Sequence, residues 1–67
     1  MAVYLVPLEG NPAQAAGLLA VAGIQNTDYR EGSVTARLHA ANPENAHGRV
    51  LAALSGEPFV VMDARQE

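Results

Sequence analysis

A chain of 67 residues suffices for one domain and no more, and at that size only about 60% of the unfolded surface can be buried. It contains no cysteine, which excludes disulfide frameworks, thiolate zinc sites and redox motifs, so self-association or a partner is the natural supplement to a small core. The net charge of −3 and four scattered basic residues (Arg30, Arg37, Arg49, Arg65) exclude nucleic acid as the expected partner, because a phosphate backbone needs a concentrated positive footprint.

The start, Met1-Ala2-Val3-Tyr4, has no basic segment before its short apolar run, so no signal peptide is expected. The uncharged stretch 10–27 is interrupted by Asn11, Pro12, Gln14, Gln25 and Asn26, which argues against a bilayer span. The expected compartment is the cytoplasm, with no membrane partner.

Residues 3–6 are β-branched, aromatic and aliphatic and predict a strand that stops at Pro7, with Glu9-Gly10 turning the chain. Asn11-Pro12 predicts a helix start: the asparagine side chain can cap free amides, and proline in the first turn loses no hydrogen bond. Ala15, Leu18, Leu19 and Ala22 recur at i, i+3, i+4, i+7, an apolar stripe on a helix that ends at Gly23. Residues 24–30, with Thr27 and Tyr29 as strand formers, lead to a turn at Glu31-Gly32. The next strand carries the sharpest signal: Val34, Ala36, Leu38 and Ala40 alternate with Ser33, Thr35, Arg37 and His39, the pattern of an antiparallel sheet covered on one face. Asn42-Pro43 opens a second helix with His47, Val50, Leu51 and Leu54 at helical spacing, stopping at Ser55-Gly56. Residues 58–62 predict a last strand, and about 63–67 a polar tail. The two helix starts echo one another, 11–17 against 42–48, as two βαβ halves would.

This order of elements predicts an α+β fold, βαββαβ, with a four-stranded antiparallel sheet and two helices on one face, as a single domain over 1–67. It resembles the ferredoxin-like fold, and the small heavy-metal-associated domains in particular, in Gly23-Ile24 after the first helix, the hairpin over 29–34 and the short strand after Gly56. The resemblance implies a soft-metal site between the first strand and the first helix. Gly10-Asn11-Pro12-Ala13 stand where that family has its paired cysteines, so the implied ligands are missing and no cofactor is expected.

Chemistry-bearing residues are sparse. A metal held by His39 or His47 would need Glu44 or Asp63 as well, and the two histidines fall on different elements. Ser33 and Ser55 lack a local base. Glu9-Gly10-Asn11-Pro12 has too little glycine, and the chain no lysine, for a phosphate loop. Catalysis is the least favoured reading, since it would need an oligomer to assemble a site around His39 or Tyr29.

The outward side of the first helix is more informative. Ala13, Ala16, Gly17, Ala20 and Val21 stand where lysine and glutamate belong on a solvated helix, and a small apolar face lets another backbone approach. Thr35, Arg37 and His39 on the open sheet face form a second candidate surface. The expectation is a non-catalytic protein-interaction or regulatory module, such as an inhibitor or assembly factor acting on a larger complex, or a homodimer. A regulatory domain binding a small metabolite is the alternative.

Overall fold

The structure, a computed structural model, describes residues 2–30, 33–55 and 58–67, with 27–30 described by their backbone. The elements are β1 (Ala2–Glu9), α1 (Pro12–Val21), β2 (Gln25–Arg30), β3 (Ser33–Ala40), α2 (Pro43–Ala53), β4 (Val60–Val61) and β5 (Arg65–Gln66). The sheet order is β2-β3-β1-β4 with every pairing antiparallel, and β5 also pairs with β1. This is the ferredoxin-like βαββαβ arrangement, with β4 and β5 together standing in for one fourth strand.

One face of the sheet is covered. Tyr4, Val6 and Leu8 of β1 and Val34, Ala36, Leu38 and Ala40 of β3 are buried, together with Ala15 and Leu19 of α1, Ile24, and Ala46 and Val50 of α2 with Leu54 behind it. No polar or charged side chain is buried among the described residues. The alternation in β3 thus sets both the register and the buried face, since a slip by one residue would turn the whole row outward.

Both helices open as their asparagine-proline pairs predict. Asn11 Oδ1 accepts from the Gln14 amide at 3.1 Å, and Asn42 Oδ1 from the Asn45 amide at 2.8 Å. Helix α1 closes in a paired C-terminal turn: the Gly23 N–H donates to Ala20 O at 3.0 Å and the Ile24 N–H to Leu19 O at 2.9 Å. Gly23 takes φ +76°, and the accompanying apolar contact is supplied by buried Ile24 and Leu19. None of the described helices is long and apolar enough to cross a membrane.

The sequence expectations need adjustment at five places, one of them the strand expected over 58–62, which spans only Val60–Val61. Strand β1 runs through Pro7 to Glu9 instead of stopping at Pro7. The carbonyl of Pro7 points away from β3 and accepts the Met62 N–H at 2.8 Å, so the missing proline donor faces the edge strand, not the centre of the sheet. That edge is where the ladder breaks. Leu8 pairs with Val61 and Leu5 with Arg65, three steps on β1 against four on its neighbour, so one extra residue is accommodated between β4 and β5. Residues 63–67, expected as a polar tail, therefore include a strand, and the Glu67 N–H donates to Val3 O at 2.9 Å.

In α1, Ala15 and Leu19 are buried and Leu18 half-buried, while Ala22 is the exposed cap residue. In α2 the buried row is Ala46, Val50 and Leu54; His47 is half-buried and Leu51 46% exposed. Alanine hides the phase, because Ala46 gives no hydrophobic signal above the other alanines around it. The Glu31-Gly32 turn and Gly56 lie outside the described residues.

Candidate functional site

Four places on this scaffold could meet a ligand or partner, and each follows from an element already placed. The first is the outer side of α1. Ala13, Gly17, Ala20 and Val21 are exposed, Val21 at 91%, and Ala16 is half-buried. A helix carrying no acidic residue in its first turn and no basic residue in its last also forgoes the usual charge–dipole stabilisation. Gly17 is the telling residue, because a Cβ built on it meets nothing within 4 Å. Internal packing does not require glycine there, yet glycine inside a helix costs about 0.5–1 kcal/mol relative to alanine. The same holds for exposed Gly48 in the middle of α2.

The second place is the open face of the sheet, where Thr35 and Arg37 are half-buried and His39 is exposed. The register sets Val3 opposite His39, Leu5 opposite Arg37 and Pro7 opposite Thr35, with Arg65 opposite Leu5 on the other side. The uncovered face therefore has an apolar central row, Val3-Leu5-Pro7, which the sequence reading did not single out. The signal was present: residues 2–8 are apolar in both phases, as expected of a strand sheltered on two sides.

Part of the shelter is internal. Arg37 Nε and Nη2 donate to the two carboxylate oxygens of Glu67, each at 3.0 Å, and Nη1 donates to Gln25 Oε1 at 3.1 Å. One guanidinium thus ties β3, at the position opposite Leu5, to both flanks of the sheet. The hydrogen bonds from Arg37 hold the Glu67 carboxyl below its ordinary value; burial opposes the shift, and the charges of Arg37 and His39 add to it. Glu67 in turn raises the already high value of Arg37. Both side chains keep solvent access, 35% and 46%, so the pair is screened and acts more as a geometric tie than as a large source of stability.

The third place is a cleft of about 250 Å³ lined by Gly23, Gln25, Arg37, Leu38, His39 and Arg49. Arg49 Nη1 donates to the His39 carbonyl at 2.5 Å, which pins α2 to the end of β3. The fourth is a shallower cleft of about 180 Å³ bordered by Pro43, Glu44, His47, Asp63 and Ala64. It gathers the acidic partners proposed for His47 while His39 lies at the other cleft. Among the described residues no three His, Cys, Asp or Glu side chains could hold one metal ion. Tyr29 is described by its backbone alone.

The interface residues read from the sequence thus separate into two surfaces. The five helix positions share one side of α1, and Thr35, Arg37 and His39 share the opposite face of the molecule. Arg49, Gln25 and Glu67, which organise the polar ends of the sheet face, were missed because their partners lie 10, 12 and 30 residues away in the chain. Comparison with known proteins finds no matching family model, no matching curated protein and no matching solved structure.

Proposed function

We propose that this protein is a non-catalytic interaction module that docks through the outer surface of its helical layer, with a second copy of itself as the first partner to test. The observation that carries the reading is Gly17, an exposed helix-interior glycine that no packing among the described residues requires, centred in an uncharged row of alanines that ends at bare Val21. A glycine in such a row permits close approach of another backbone.

Size sets how far the surface must extend. A stable interface buries on the order of 800 Å² per partner, about a fifth of the 4010 Å² accessible here. A helix of ten residues is only about 15 Å long, so α1 alone offers too little area. The neighbouring outer side of α2, with Gly48 and Ala52 exposed, has to contribute.

Light scattering coupled to size exclusion tests this directly. Wild type is expected to run as a dimer and Ala20→Glu as a monomer, with the unfolding free energy of the protomer changed by less than about 0.5 kcal/mol, since the position is exposed. Two monomeric profiles with equal stability would remove the self-association reading, and equal binding of both proteins to any partner would remove the docking surface altogether.

A further inference from the structure

We infer that the cleft between the start of β2 and the end of β3 is a binding site for a small oxyanion, a phosphate group or a short dicarboxylate. The cleft exists because two paired strands differ in extent. Strand β3 continues to Ala40, but β2 begins at Gln25, opposite Arg37. The left-handed turn at Gly23 brings the chain out of α1 at that point, so β3 has no β2 partner beyond Arg37. Arg49 reaches over from α2 and closes the far side through its bond to the His39 carbonyl.

The charge of this cleft runs against that of the chain. In a protein of net charge −3 with four arginines and two histidines, two of the arginines and one histidine line a single cavity, and among the described residues no aspartate or glutamate lines it; Glu67 balances the charge of Arg37 from outside the cleft, so Arg49 is the cation that the cleft itself offers a ligand. Arg49 spends one donor on His39, which fixes its guanidinium and leaves its remaining N–H groups for a ligand. Arg37 demonstrates the recognition chemistry within the same molecule, because it already holds the Glu67 carboxylate by two parallel bonds of 3.0 Å. Guanidinium pairs of this kind suit the geometry of carboxylate and phosphate oxygens. Gln25 adds an amide at the rim, and the Leu38 edge supplies one apolar wall.

Volume narrows the class further. Sites for drug-sized ligands occupy about 300–1,000 Å³, whereas this cleft has about 250 Å³. It suits an anion of few heavy atoms, not a nucleotide. The site lies at the strand ends and uses no residue from the outer surface of α1.

The test is an amide chemical-shift titration of the full chain with inorganic phosphate and, separately, with succinate, with ionic strength held constant by sodium chloride. The expected result is saturable movement of the Gly23, Gln25, Leu38 and His39 signals with at least one of the two anions. Saturation by phosphate alone assigns a phosphoryl ligand, and by succinate alone a dicarboxylate. Arg49→Gln, which removes the charge and the guanidinium donors, is expected to weaken binding about tenfold or more. Absence of saturation by either anion up to tens of millimolar, or equal affinity in Arg49→Gln, overturns the assignment.

Discussion

The carboxyl of Glu67 feels two opposing surroundings, hydrogen bonds from Arg37 that favour its charged form and partial burial that disfavours it. The hydrogen bonds win, so the folded-state value lies below that of a free glutamate. A depressed acid contributes stability that is fully present above its unfolded value and disappears as pH falls through its folded value. The tie across the open sheet face is therefore expected to loosen below the ordinary glutamate range, and no such loss follows from raising the pH toward neutrality. A carbon-detected titration of the Glu67 carboxyl should give a depressed midpoint that returns to the ordinary range in Arg37→Gln. An unshifted midpoint in wild type would show that the bidentate contact is not held in solution. Sequence alone pointed to Arg37 as a surface residue by its phase in β3, but a partner 30 residues distant leaves no local trace.

At the scale of elements, the glycines in and around α1 differ in what they accomplish. Gly23 is required by its positive φ, and Gly10 is required by the Phe59 ring, into which a Cβ would run. Gly17 is required by neither. Gly17→Ala should therefore raise the protomer's stability by about 0.5–1 kcal/mol in urea unfolding at a concentration where the chain is monomeric. It should at the same time weaken self-association, because the added methyl stands where a neighbouring backbone is to come close. Higher stability with undiminished association would mean that the glycine serves no contact.

The elements also show where sequence reading succeeds and fails. Caps, the Gly23 stop and the β3 alternation rest on chemistry confined to a few neighbouring residues, and each appears where its pattern places it. Strand β5 and the core face of α2 were misread for different reasons. Arg65–Gln66 are polar and exposed, so only their backbone pairing with a strand some sixty residues earlier makes them a strand. In α2, Ala46 competes with His47 and Leu51 for the inward position, and only the packed sheet decides between them. The candidate surfaces divide in the same way: the uncharged side of α1 can be read from its spacing, whereas the cationic cleft needs three elements assembled.

For the whole molecule, small size joins function to stability. With a small core and, among the described residues, no buried polar network, the protomer has little stability in reserve. A dimer would supply some, and its signature is a melting temperature that depends on concentration. Above the dissociation constant, each tenfold increase in protein adds about 1.4 kcal/mol per mole of dimer, roughly 3–6 °C for a chain of this length. A midpoint that stays constant over three decades of concentration would identify a self-sufficient monomer.

The break between β4 and β5 bears on what happens when many copies are crowded together. A continuous outer strand is a template on which other chains can polymerise. Here that flank is cut into two segments of two residues, offset by one register, and it carries the charged side chains Arg65 and Glu67. An incoming strand finds no straight run to copy, so this irregularity guards one side of the sheet against fibril growth, and β2 on the opposite flank interrupts its own ladder with a register shift between Thr27 and Arg30.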